Sequence, residues 1–345
     1  MIEPVFKKTD FKLCDVPVPD GCPQSQTHSG IGLLSDGQYI LTTSPYPNVK
    51  YKLWVSYIRA AVRKLSRYKL LNRAAETYEN PCIYIGENNN GDYPVRFRLA
   101  QSYPLMGPLD PLFGYPSFNS DPDLYIEDDI IYVLNRSIYR MEGRYNYFMR
   151  LFLIEGKIHN GFFLQTSTTL LREGKDVVGS QCLTKYKGRY ILTDVMTNSY
   201  NDGHTYNGIR YLSSNSIDGL KDTNEWHRIE TNEGEYLPWH MSLFQHEEKL
   251  YTIIACVKKG EPQRCWQMLG EFNDDLTKLN IYKVPLTDYN SYRGAALVNA
   301  NGDFELYSTT VHERIKGSKA VDGRNVIVAS KPFIGVLDKV RDKGQ

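Results

Sequence analysis

A surplus of one charge is the first thing missing. Lys and Arg total 41 against 40 Asp and Glu, a formal net charge of +1. No global field therefore steers the chain toward nucleic acid. Metal-type cysteine spacing is missing too: Cys14, Cys22, Cys82, Cys182, Cys256 and Cys265 form no C-x-x-C, which removes zinc ribbons and dithiol redox motifs. Cys82, Cys182 and Cys256 lie in or beside apolar runs, where a buried free thiol is expected. Cys14 and Cys22 flank a proline-rich loop that a bridge between them would close. No apolar run approaches the length of a membrane span. Met1-Ile-Glu-Pro4 leads into charged residues rather than an apolar core, so no signal peptide is expected.

What is present is β-structure rich in tyrosine, of which there are 26. Asn119, Ser120, Asp121 and Asp123 form a polar knot. Leu124 and Ile126 then alternate with polar residues, Glu127 to Asp129 make a tight acidic turn, and Ile130 to Leu134 are a β-branched run. Alternation, turn and a second β-rich run predict a hairpin with the knot just before its first strand. The pattern recurs at His28 to Leu41, Ser180 to Leu192, Trp239 to Ile253 and Tyr292 to Tyr307.

The steps from Asp121 to Gln181, Gln181 to His240 and His240 to Arg293 are 60, 59 and 53 residues. A repeat of this length, one hairpin-based sheet per unit, predicts a propeller. Five copies predict an all-β, five-bladed β-propeller spanning residues 1–345 as a single domain. A terminal strand within Val5 to Leu13 is a candidate to close the ring, and Asp338 to Gln345 reads as a frayed tail.

The step from His28 to Asp121 is 93 residues, so the first unit carries an insertion. Residues 50–76 predict a helix, with Trp54, Ile58, Val62, Leu65 and Tyr68 on one face and Arg59, Arg63 and Arg67 in a basic row. A solvated face packed on the propeller wall and a docking helix for an acidic protein partner both fit this row. Without aromatic interleaving on the basic side, nucleic acid is not an expected partner.

His28, Ser44-Pro-Tyr-Pro47, Glu79-Asn-Pro81, Pro108-Leu-Asp110, Asn119-Ser-Asp-Pro-Asp-Leu124 and Trp239-His240 fall in an order that resembles a family of five-bladed propeller proteins. That family occurs in bacteriophages and bacteria and is related to glycoside hydrolase family 43. The resemblance implies a glycan-directed site in the central funnel, carbohydrate as the partner, and three carboxylates at the starts of inner strands. With no signal peptide and no membrane span expected, a cytoplasmic chain is expected or, if phage-encoded, a virion component. The chain departs from that plan. Its five knot positions read His28, Asp121, Gln181, His240 and Arg293, one acid where three are wanted, and Trp239-His-Met-Ser242 stands where the family pattern is Trp-His-x-Asp.

The candidate catalytic residues are Asp121, Glu79 and Asp110, with Asp123, Asp194 and Asp202 as further carboxylates. Each has a structural alternative: Asp121 and Asp110 as turn formers, Glu79 in a loop-fixing ion pair. For substrate binding the candidates are His28, His240, Arg293, Trp239, Tyr46 and Gln181. Tyr115 and Tyr292 are further aromatic faces for a sugar ring, with interblade packing as their alternative. His28, Asp121, His240 and Arg293 are expected to converge at the funnel mouth, with Asp121 balancing Arg293. No cofactor is required, although His28, His240 and Asp121 would make a chemically sensible axial metal set. Two functions stay open: a glycoside hydrolase acting through Asp121 and a second carboxylate, and a non-catalytic propeller that serves as a structural or binding component.

Overall fold

The computed structural model describes residues 3–19, 25–45, 79–87, 93–102, 104–107, 117–141, 147–175, 179–198, 205–299, 301–310 and 326–344. The segment 50–76, with its expected helix, and Tyr46, Asp110, Tyr115 and Asp202 lie outside these residues.

A short strand β1 (Phe11–Leu13) precedes four-stranded antiparallel units that follow one another along the chain. The first is β2 (Gln26–Leu33), β3 (Tyr39–Pro45), β4 (Cys82–Gly86) and β5 (Phe97–Leu99). The second is β6 (Ser117–Glu127), β7 (Ile130–Arg140), β8 (Tyr147–His159) and β9 (Phe162–Gly174). Next come β10 (Ser180–Tyr186), β11 (Arg189–Asn198), β12 (Thr205–Ser214) and β13 (His227–Thr231). Then follow β14 (Tyr236–His246), β15 (Lys249–Lys258), β16 (Glu261–Phe272) and β17 (Lys278–Pro285), joined to the preceding unit by a short parallel pairing of β13 with β17. In the last, β18 (Ser291–Val298), β19 (Phe304–Thr310) and β20 (Ile327–Ser330) are completed by β1, so that one sheet uses strands from both ends of the sequence.

The first strands touch in succession: β2 with β6, β6 with β10, β10 with β14, β14 with β18, and β18 with β2. Apolar clusters fill the spaces between neighbouring units. Along β7, Ile131 and Val133 enter one cluster while Tyr132 and Leu134 enter the next. Burial on both faces explains why the run Ile130–Leu134 is continuously apolar rather than alternating. Close approach of the inner strands fixes some glycines: a Cβ on Gly30 would stand 2.9 Å from the Leu124 Cβ, and one on Gly32 2.8 Å from the Ile126 Cδ1.

Two expectations are corrected. The polar knots lie inside the first strands, not before them, and most are β-bulges. The pairing shifts across His28 and Ser29, across Asp121 and Pro122, across Trp239, and across Tyr292 and Arg293. Pairing through Gln181 is regular. A bulge inserts an unpaired residue and re-aims its side chain, so a polar interruption of an apolar strand marks it. The C-terminal residues do not fray: Val336–Gly344 form helix α1, with Val336, Leu337 and Val340 buried and Arg341 paired to Glu271. Cys14 is a buried free thiol. Cys22 lies outside the described residues.

Candidate functional site

The bulged ends of β2, β6 and β14 bring three side chains to one point at the centre of the ring. His28 Nε2 lies 2.7 Å from Asp121 Oδ1, and His240 Nδ1 lies 4.0 Å from the same oxygen. Asp121 Oδ2 accepts from Arg136 on β7. Glu79, just before β4, places Oε2 3.8 Å from His28 Nδ1 and accepts from the Asp121 amide at 3.2 Å. The two carboxylates thus address opposite nitrogens of one imidazole. All of these groups are buried: His28 is 1%, Asp121 3% and Glu79 5% exposed.

The backbone is strained where it carries them. His28, Glu79 and Asp121 have φ of 56°, 49° and 51°. The other described non-glycine residues with positive φ, such as Asp128, Asn160 and Lys187, sit in the turns between strands. Left-handed backbone at a non-glycine residue costs on the order of 1–3 kcal/mol, and here three such residues meet in one cluster.

Burial acts on every acid, but its result differs. It lifts Glu79 to about 7, with the neighbouring Asp121 charge adding to it and His28 opposing it. For Asp121, burial is outweighed by Arg136, His240 and His28, which hold the carboxyl well below the usual carboxylate range. His240 is driven well below the ordinary histidine value, chiefly by burial. Its Nδ1 is hydrogen-bonded to the Ser180 hydroxyl (2.8 Å) and its Nε2 to the Tyr292 hydroxyl (2.6 Å).

A second polar layer lies just past the bulge of β6. Arg293, 1% exposed, reaches across from β18 and donates to Pro122 O (2.9 Å) and to Asp123 Oδ1 (2.6 Å). Asp123 Oδ2 accepts from the Leu183 amide at 3.1 Å, and burial raises Asp123 to about 6 against the pull of Arg293. Arg293 therefore balances Asp123, not Asp121 as the sequence suggested, because the bulges on both strands shift it past its expected partner.

The remaining candidates fall into place around these layers. Gln181 donates to the Asp121 carbonyl at 2.6 Å and braces the strand that carries the acid. The Trp239 ring lies against that of His240 at 5.3 Å and edge-on to that of Tyr292 at 5.2 Å, and both Trp239 and Tyr292 are half-buried. Asp194 is held by Arg210 (2.8 Å) and the Gly179 amide (2.5 Å), so Glu79 is the described carboxylate that shares the layer of Asp121.

Arg136 was missed from the sequence. Its signal was present: Asn135-Arg-Ser137 is a polar interruption in a strand whose preceding residues are buried on both faces. Asn135 and Ser137 donate to Asn119 (2.9 and 3.2 Å) and fasten the bulged strand beside them.

His28, Asp121 and His240 each offer a ligand atom, all within 4.8 Å of one another. Two imidazoles and a carboxylate suit a divalent transition-metal ion, and an ionised Asp121 beside a neutral His240 is the protonation state such a ligand set requires.

No family model and no curated protein sequence matches the chain. Solved structures do. An N-acetylgalactosamine deacetylase from F. plautii, solved in complex with blood group B trisaccharide, superposes with a TM-score of 0.63 at 13% identity, covering 99% of this chain and 97% of that one. A xylan β-1,4-xylosidase from Bacillus halodurans C-125 gives 0.60 at 14% identity over 91% of this chain and 54% of the xylosidase. A family 117 glycoside hydrolase produced by the marine bacterium Zobellia galactanivorans gives 0.55 at 12% identity, covering 93% and 89%. At such identities the likeness speaks for architecture alone, and with the succession of touching inner strands it makes this chain a β-propeller.

Proposed function

We propose that the chain is a single five-bladed propeller domain directed at glycans, and that its axial site is hydrolytic. The observation that carries this reading is the divergence of two buried carboxyls on either side of His28. Hydrolysis of a glycosidic bond needs one carboxylate that stays ionised and one that holds a proton near neutral pH. Asp121, beside Arg136 and His28, suits the first role, and Glu79, raised to about 7 by burial, suits the second. Trp239 and Tyr292 offer flat apolar faces to a sugar ring. The glycan-active proteins among the structural neighbours support the substrate class.

A second reading is favoured by the ligand geometry of His28, Asp121 and His240. A divalent cation held there would bring bound water toward a neutral pKa. Glu79, beside the set, would hold or move a proton at its carboxyl. The bond broken would then be the one joining an acyl carbonyl carbon to a sugar's nitrogen or oxygen, with water supplying the hydroxyl to the released acid, the class of reaction named for the F. plautii neighbour.

One assay separates the readings. The full chain is incubated with a panel of plant and bacterial polysaccharides and N-acetylated oligosaccharides, with and without EDTA, and reducing ends and free acetate are measured. The two-carboxylate reading expects new reducing ends, insensitivity to EDTA, and a loss of about 10²–10⁴-fold in Asp121→Asn and Glu79→Gln with the fold retained. Acetate release abolished by EDTA replaces it with the second reading. Binding of the panel without either product overturns catalysis in favour of a recognition or structural component, such as part of a phage particle.

A further inference from the structure

The cation reading of the axial site leaves one question that the geometry answers: which group selects the bare nitrogen of His240. A ligating imidazole is neutral, with one nitrogen protonated and the other carrying a lone pair. His240 Nε2 lies 2.6 Å from the Tyr292 hydroxyl, and Nδ1 lies 2.8 Å from the Ser180 hydroxyl and 4.0 Å from Asp121 Oδ1. Both close partners are hydroxyls, which donate or accept equally well, so neither fixes the tautomer by its type. The fixed charge is Asp121, and it favours a proton on Nδ1, with Tyr292 donating to Nε2. A cation held by Asp121 and His28 would reverse that preference. It would need the Nδ1 lone pair, so the proton on Nδ1 would leave and one would be taken up at Nε2.

We propose that Tyr292 is the positioning residue of this site: its hydroxyl turns from donor to acceptor and holds the Nε2–H form of His240 whenever a divalent cation is bound at Nδ1. The ring is well fixed for this. It stands edge-on to Trp239 (5.2 Å, 89°) and against His28 (5.4 Å), so the hydroxyl hydrogen can reverse without moving the phenol. Without that hydroxyl, Nε2–H becomes a buried donor that has lost its acceptor, which is costly to leave. Ser180 has no equivalent part, because it gives up Nδ1 to the cation.

The inference rests on the cation reading, and the experiment keeps the two apart. Mn²⁺ binding to the full chain is measured by titration calorimetry for wild type, Tyr292→Phe and Ser180→Ala, with circular dichroism to confirm the fold. Loss of an outer partner of a ligating histidine typically weakens metal binding about 10–100-fold. That loss is expected for Tyr292→Phe, with Ser180→Ala binding like wild type. In parallel, ¹⁵N NMR of the His240 ring is expected to show the proton on Nδ1 without cation and on Nε2 with Zn²⁺. Tight wild-type binding that Tyr292→Phe leaves intact overturns the proposal alone. So does equal weakening in both variants, or a tautomer that does not change. A wild type that binds neither cation removes the cation reading and this inference with it.

Discussion

Asp121 and Asp123 sit on one strand, separated by a bulged proline, and both are buried, yet their environments act in opposite directions. Asp121 faces Arg136, His28 and, slightly further off, His240, and is held well below the usual carboxylate range despite burial. Asp123 faces Arg293 and the Leu183 amide, and burial wins, lifting it to about 6. The difference lies in the partners. The Asp121 layer, the outer one here, combines strained backbone, two imidazoles and a second carboxyl. The inner layer is an Arg–Asp pair that ties β18 to β6 across the axis. Burial is common to both; strain together with several titratable partners sets the Asp121 layer apart.

The comparison can be broken most severely from the inner layer. Arg293→Met leaves the Asp123 carboxyl buried without its cation, and removing one partner of a buried pair costs about 3–5 kcal/mol. Urea denaturation is expected to show a loss of that size. A loss as small as that of an exposed pair would show that the inner layer does not tie the ring.

A smaller effect sharpens the outer layer. Glu79 takes its proton more tightly in the folded chain, at about 7 against an ordinary value of 4.5. Its contribution to stability is therefore present below pH 4.5 and lost as pH rises to about 7. His240, driven the other way, makes the net wild-type slope a mixture, so the variant must be compared with wild type at each pH. Glu79→Gln is expected to gain on wild type across that window by at most about 3 kcal/mol. Melting temperatures of both proteins from pH 4 to 8 check this, and a constant difference would refute it.

The smallest expected effect concerns the other face of His28. Its Nδ1 is 3.3 Å from the Ser44 hydroxyl. Ser44→Ala should cost only about 0.5–1.5 kcal/mol, the net worth of an ordinary hydrogen bond, and leave the Asp121 layer in place. Chemical denaturation reads the cost.

The repeat was legible because polar or aromatic residues interrupt otherwise apolar strands once in each unit, with steps of 60, 59 and 53 residues from Asp121 onward. His28, Asp121 and His240 could be named for the same reason. What the pattern could not carry was the register inside each bulge, which moved Arg293 from Asp121 to Asp123. Nor could it show the second strand's part in the site. The apolar run ends at Leu134, but β7 continues to Arg140, its polar stretch turned toward the axis where Arg136 meets Asp121. The terminal helix escaped because its pattern is brief: three buried aliphatics, Val336, Leu337 and Val340, among charged residues.

The pairing of β1 with β20 also has a consequence in time. β1 cannot take its place in a sheet until β20 has been made. The earlier units can form while the ring is still open, and Tyr292 and Arg293 arrive only with the last. Long-range closure of this kind is slow and exposes strand edges while it waits. Tyr292 and Arg293 are therefore the last side chains of the axial site to be set in place, and a chain cut before β18 would carry His28, Asp121 and His240 without them.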